Sequence, residues 1–162
     1  MRVHDEFVPE ETFREFIERM PQVCVEVVVE RSDGAVLLAR RTNEPVKGEW
    51  FWPGSRLYKG EHLENAAQRV GREELGLDLT IGDQLGVYEH RWETSAPGPS
   101  RHTVNIVFRA RAADADGDLS VEDVTLDDQH DDVRFVQPVD IDEAYHEYVQ
   151  RYARDLQAAR DA

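Results

Sequence analysis

Residues 62–75, HLENAAQRVGREEL, constrain this chain more than any other stretch. Leu63, Ala66, Ala67 and Val70 recur at the three- and four-residue spacing that lines one face of a helix. Glu74 falls four residues after Val70, so it lands on that same face, and Gly76 then ends the helix. Burying a carboxylate without a partner costs several kcal/mol or forces a proton onto it. A basic side chain or a metal ion removes that cost, and the helix pattern by itself leaves both open.

The rest of the chain supplies elements for that helix to pack on. Residues 9–20 predict an amphipathic helix with Phe13, Phe16, Ile17 and Met20 on one face. VCVEVVVE at 23–30 and VLLARR at 36–41 are strand-like around an Asp33-Gly34 turn, which predicts a hairpin over 23–41. A short aromatic strand at 50–55 is broken by Pro53-Gly54, and Leu79–Trp92 and Thr103–Ala112 predict two longer strands. ETSAPGPS and ADADGD read as loops, VRFVQP as a last strand, and the pattern Ile141, Ala144, Tyr145, Tyr148, Val149, Tyr152 as a helix from Asp140 onward. Helices alternating with strands predict an α+β class, an α/β sandwich with a mixed β-sheet packed between helices. The 162 residues suit one domain, with terminal helices within 1–20 and 140–162.

Composition narrows the function. A formal net charge of −15 argues against nucleic acid and anionic membranes as partners, since both would be repelled. Only Lys47 and Lys59 are lysines and the other seventeen basic residues are arginines, a balance expected of a halophile working in concentrated salt, where self-repulsion is screened. One cysteine, Cys24, excludes an internal disulfide, and no apolar run is long enough to span a bilayer. These features point to a cytoplasmic protein. An anionic ligand would require a cation or clustered arginines to offset the acidic background.

Glu61, Arg69, Glu73, Glu74, Gly76 and Leu77 together resemble the Nudix box, a loop–helix–loop that holds a divalent metal. The box departs from its usual form at Ser55, where a glycine is expected, and at Val70, where a glutamate is expected. RTNEPVKGEWFWPGSR, GVYEHRW, RHTVNIVFR and QHDDVRF extend the likeness from about Pro21 to Pro138 and are similar to the GDP-mannose mannosyl hydrolases, which also lack the glutamate replaced by Val70. The resemblance implies a Nudix fold with its box at about 54–77. It also implies Mg²⁺-dependent hydrolysis of a nucleotide sugar at the anomeric carbon, releasing GDP and the free hexose from GDP-mannose or GDP-glucose.

Site residues follow from the same resemblance. The metal, Mg²⁺ or Mn²⁺ in its place, falls to Glu74, the side-chain oxygen of Gln129 and the backbone carbonyl of Gly54. His130 matches the general base, and Arg41 and Arg56 match the arginines aimed at the diphosphate. His90 matches a histidine near the sugar or leaving group. Glu26 stands where the family has a sugar-binding aspartate, and Thr103 where it has a tyrosine that reaches the leaving group. Glu73 either pairs with Arg69 on an exposed face or supports a second metal, and Trp50 and Trp52 suit core or wall. A homodimer is implied by the resemblance alone. Two rival functions fit the same residues: a pyrophosphohydrolase attacking phosphorus, and a nucleotide-sugar-binding module without catalysis.

Overall fold

A computed structural model describes residues 1–113 and 119–162; most of the ADADGD loop lies outside the described residues. Among the described residues seven strands form two sheets. The larger takes the order β4 (Gly54–Arg56), β1 (Gln22–Val29), β6 (Arg101–Ala112), β5 (Leu79–Trp92), and the smaller the order β3 (Trp50–Phe51), β2 (Val36–Arg41), β7 (His130–Val136). β1 runs parallel to β6 and antiparallel to β4, which makes the larger sheet mixed. Among the described residues three α-helices complete the architecture: α1 (Glu10–Arg19), α2 (Leu63–Val70) and α3 (Glu147–Asp161). Among the described residues no helix is long and apolar enough to cross a membrane.

β1 is covered on both faces, which explains its nearly continuous run of β-branched residues. Val25, Val27 and Val29 join Ala66, Ala67 and Val70 of α2 in one core. Val28 faces the other way, into a second core with Val149, Tyr152, Ala153 and Leu156 of α3. Alternation along the strand therefore sends Glu26 and Glu30 toward the α3 side.

Several expectations are corrected. The segment 23–41 is not a paired hairpin: β1 is already flanked by β4 and β6, so β2 crosses to the other sheet, and a single bridge between Glu30 and Val36 joins the two. The C-terminal helix starts at Glu147 rather than near Asp140. Asp142 accepts the backbone N–H of Ala144 at 2.9 Å, a local bond that competes with helix formation, and His146 caps α3 by accepting from the N–H of Tyr148 at 3.1 Å. On α1 only Ile17 is buried; Phe16 and Met20 are 47% and 63% exposed. The last strand opens earlier than VRFVQP suggests, at His130, whose Cα is paired with that of Arg41 beside a bulge in β2.

Candidate active site

α2 does not stop at Val70. It runs on through a single π-helical turn, Gly71–Leu75, and ends where Gly76 takes the left-handed conformation with φ 64°. Such widened turns concentrate at functional sites, and here the turn brings two successive side chains, Glu74 and Leu75, inside. Arg69 fastens the loop before the helix to the helix itself. It grips Glu61 with two hydrogen bonds of 2.7 and 3.0 Å and also donates to Ser55 Oγ and the Arg56 carbonyl. Glu73 is exposed and pairs with Arg69 at 3.3 Å.

A cavity of about 390 Å³ opens over this turn. Glu26, Arg41, Gly54, Arg56, Glu73, Glu74, His90, Thr103 and Gln129 all line it, so one cavity gathers every residue expected to bind metal or substrate or to act in catalysis, except His130. His130 stands behind Glu74, buried, with Nε2 3.9 Å from Glu74 Oε1. Its Nδ1 lies 2.7 Å from Asp127 Oδ1, which places the proton on Nδ1 when Asp127 is ionised and leaves the Nε2 lone pair free. Burial holds the imidazole below its ordinary pKa, opposed by the Asp127 charge, so His130 is neutral at neutral pH.

Among the described residues Glu74 has no lysine or arginine partner, and the nearest basic ring is the His130 imidazole at 3.9 Å. Oε1 accepts a long 3.4 Å hydrogen bond from the Gly54 N–H, and Oε2 is buried without any partner. Burial and the Asp127 carboxylate drive its pKa well above the ordinary range, against the pull of the Gly54 N–H and Arg41. Glu74, Asp127 and His130 offer donor atoms within 4.8 Å of one another. Two carboxylates facing each other, one with an orphaned oxygen, suit a hard divalent cation, so the residues present fit the metal that the sequence pattern implies. Gln129 lines the same cavity with an exposed side chain.

The floor of the cavity is a buried polar chain. Thr103 donates to Asn105 Oδ1 at 2.6 Å, and Asn105 donates to Glu26 Oε1 at 2.7 Å. Tyr152, from α3, donates to the same Glu26 oxygen at 2.6 Å and meets His90 Nε2 at 2.9 Å. Gly54 presses on this floor: a Cβ there would sit 2.5 Å from Glu26 Cγ, which no side chain tolerates. Burial pushes Glu26 up to about 7 despite its hydrogen bonds to Tyr152 and Asn105. His90 is stacked on Tyr148, with centroids 4.0 Å apart, and burial lowers its pKa to about 3; it therefore acts as a neutral ring. Trp52 is core, stacked on Tyr152, while Trp50 carries Arg134 on its face.

Sequence reasoning missed Asp127, Asn105, Tyr152 and Arg101. Asp127 precedes His130 by three residues and was the most findable. Arg101 and Asn105 lie two residues either side of Thr103 on β6, so the two-residue alternation of a strand was the signal for them, whereas Tyr152 comes from the distant α3 and only tertiary structure delivers it.

Residues 20–156 match the NUDIX domain. This chain is a member of the NUDIX family. The low-salt glycan biosynthesis protein Agl8 of Haloferax volcanii is 37% identical over 147 residues, covering 90% of this chain and 88% of that protein. An ADP-ribose pyrophosphatase of Methanocaldococcus jannaschii is 38% identical over 90 residues, 54% of this chain and 49% of that protein. The crystal structure of a MutT protein from Methanosarcina mazei Go1 superposes with a TM-score of 0.69 at 22% identity, covering 89% of this chain and 99% of that one. A MutT NUDIX hydrolase from Burkholderia pseudomallei superposes with a TM-score of 0.67 at 26% identity, covering 85% and 99%. The NUDIX assignment accounts for the helix with an inward carboxylate, and the protein is a NUDIX hydrolase with an acidic group suited to a divalent ion.

Proposed function

We propose that this NUDIX hydrolase cleaves a nucleotide sugar, GDP-mannose or GDP-glucose, at the anomeric carbon to give GDP and the free hexose. The observation that carries this reading is the separation of two tasks: His130 is oriented by Asp127 with Nε2 turned toward Glu74 and, among the described residues, in no hydrogen bond, while Glu74 is the one inward carboxylate of its helix and Val70 adds none. Water attacks the anomeric carbon and yields its proton to His130 Nε2, a step that requires the imidazole to move past Glu74 from its place behind that carboxylate into the cavity. The bond from that carbon to the β-phosphate oxygen breaks, and its electron pair stays on the oxygen. Arg41 and Arg56 line the same cavity and receive that charge. A Mg²⁺ ion held by Glu74 with Asp127, Gln129 or the Gly54 carbonyl would supply electrostatic stabilisation of the leaving diphosphate. Glu26 and His90 on the floor would meet the sugar. The relative named for glycan biosynthesis supports a substrate drawn from sugar metabolism.

Attack at phosphorus is the second reading, favoured by the ADP-ribose pyrophosphatase relative and by Glu73 at the cavity wall. Product analysis separates the two: incubation with GDP-mannose and Mg²⁺ in high salt yields GDP plus mannose on the first, and GMP plus mannose 1-phosphate on the second. On the first reading His130→Gln lowers turnover by about 10²–10⁴-fold while sparing nucleotide binding; a near-normal rate removes His130 from the role. We read the acidic surface as an adaptation to concentrated salt, and an unfolding free energy that is already full in dilute buffer would refute that. A homodimer belongs to the same reading, and sedimentation as a monomer at working salt would dismiss it.

A further inference from the structure

Four arginines line the cavity, and among them only Arg69 is in an ion pair within the described residues. Among the described residues Arg41, Arg56 and Arg101 are half-buried there with no carboxylate at ion-pair distance, in a chain with 34 acidic residues against 19 lysines and arginines. Guanidinium groups left unpaired amid so many carboxylates mark a place prepared for an outside anion. Arg41 is held by neutral acceptors, the Pro45 carbonyl at 2.9 Å and Asn43 Oδ1 at 3.3 Å.

Arg101 opens β6, on the same strand face as Thr103 and Asn105 of the cavity floor, with its Cα paired to that of Trp92 on β5. Its Nε donates to Gln22 at 3.2 Å. Its guanidinium lies 5.5 Å from the ring centroid of Phe13, and that of Arg56 lies 5.8 Å from the same centroid. Phe13 of α1 thus holds two cations beside one ring, an arrangement that keeps both at the cavity without a carboxylate to neutralise them. This also explains why Phe13 turns inward while Phe16 and Met20 on the same helix remain exposed.

We infer that Arg101 is a third anion-binding residue of this site, completing with Arg41 and Arg56 a clamp whose charge is matched to the released nucleoside diphosphate rather than to the intact nucleotide sugar. The inference rests on the nucleotide-sugar reading above. The diphosphate of a nucleotide sugar is esterified at both ends and carries two ionised oxygens. Breaking the bond to the anomeric carbon leaves the electron pair on the β-phosphate oxygen and creates a third charge, while the proton of the attacking water goes to His130. Three guanidiniums meet three charges at that point, and Glu74 with Asp127 balance a divalent ion. Stabilisation that appears only as the bond breaks accelerates the reaction, whereas equal binding of both states does not.

Calorimetric titration tests this with two ligands that do not turn over at carbon: GDP and its β-methyl ester, which lacks the third charge. Arg101→Gln is expected to weaken GDP by roughly tenfold or more and the ester by less than about threefold, with Arg101→Lys restoring part of the preference. Equal weakening of the two ligands, or none, overturns the inference. If Arg101 only braces α1 through Phe13 and Gln22, the melting temperature falls and the ratio of the two affinities does not move. Products formed by the wild-type enzyme from GDP-mannose are read alongside: GMP plus mannose 1-phosphate would refute cleavage at carbon, whatever Arg101→Gln does to the ratio.

Discussion

Glu26, within β1, and Glu30, the residue just after it, point to the same side and are each 4% exposed, yet their surroundings are built on opposite principles. Glu30 is gripped by Arg109 at 2.9 and 3.0 Å and by Arg160 at 3.2 and 2.7 Å. Burial would raise its pKa, but the two arginines outweigh that and hold it below the ordinary range. Glu26 receives only neutral donors, from Tyr152 and Asn105, and burial pushes it up to about 7. Glu74 extends the second principle, with one oxygen left unpartnered. A buried carboxylate is therefore not informative until its partners are known: paired with arginines it fastens the fold, and without them it is held ready for something outside the chain.

The sharpest way to break this contrast is Glu74→Gln. Catalysis should fall by about 10³-fold, while the metal-free protein gains stability because a buried, unpartnered carboxylate is gone. Activity within a few-fold of wild type, at saturating Mg²⁺, would return Glu74 to the structural class.

Next comes Glu26→Gln. Because the folded pKa is raised from 4.5 to about 7, the wild-type contribution is full below 4.5 and is lost as pH rises through 7. Wild type should lose about 3 kcal/mol relative to the variant between pH 4 and pH 8 in metal-free denaturant titrations. Parallel stability curves would show that the proton resides elsewhere.

Glu30→Gln should do the reverse. The depressed pKa means that the wild-type advantage is present above 4.5 and disappears as pH falls below it. At pH 7 the variant should lose about 2 kcal/mol, less than a fully buried pair because both guanidinium groups are partly solvated, with turnover unchanged.

The smallest effect expected is that of Tyr152→Phe, about 1 kcal/mol from one hydrogen-bonding hydroxyl. That loss should grow above pH 7, where the Glu26 it serves is ionised. A pH-independent loss would mean that the ring, stacked on Trp52, matters more than the hydroxyl.

Local periodicity made the contents of α2 legible: the spacing from Val70 to Glu74 put a carboxylate inside, and the structure has it there. The π turn that also buries Leu75 left no mark in that spacing, since a widened turn is decided by packing. The Asp33-Gly34 turn was read as a hairpin because turn chemistry is local, whereas the transfer of β2 to the other sheet depends on β6 having taken the edge of β1. The site divides the same way. Glu74, Arg41, Arg56 and the QHDD segment were visible as motif residues, and the cavity brings Arg41, Arg56, Glu74 and Gln129 together, with His130 behind Glu74. Tyr152 was invisible because it is an ordinary residue of an amphipathic helix until the fold sets it against Glu26, whereas Arg101 was signalled only by its two-residue spacing from Thr103.

The floor of the cavity spans the chain in time as well as in space. Glu26 and the Tyr152 hydroxyl that serves it are 126 residues apart in sequence. At ribosomal speed, roughly 5–20 residues per second, the strand carrying Glu26 waits on the order of ten seconds for its last hydrogen-bond donor to be synthesised. A nascent chain can assemble the α2 side of β1 early, from Val25, Val27, Ala66, Ala67 and Val70, but its other face remains open. Closure of the cavity floor is thus withheld until translation has passed α3, and a chain that ends short of it lacks the hydroxyl that serves Glu26.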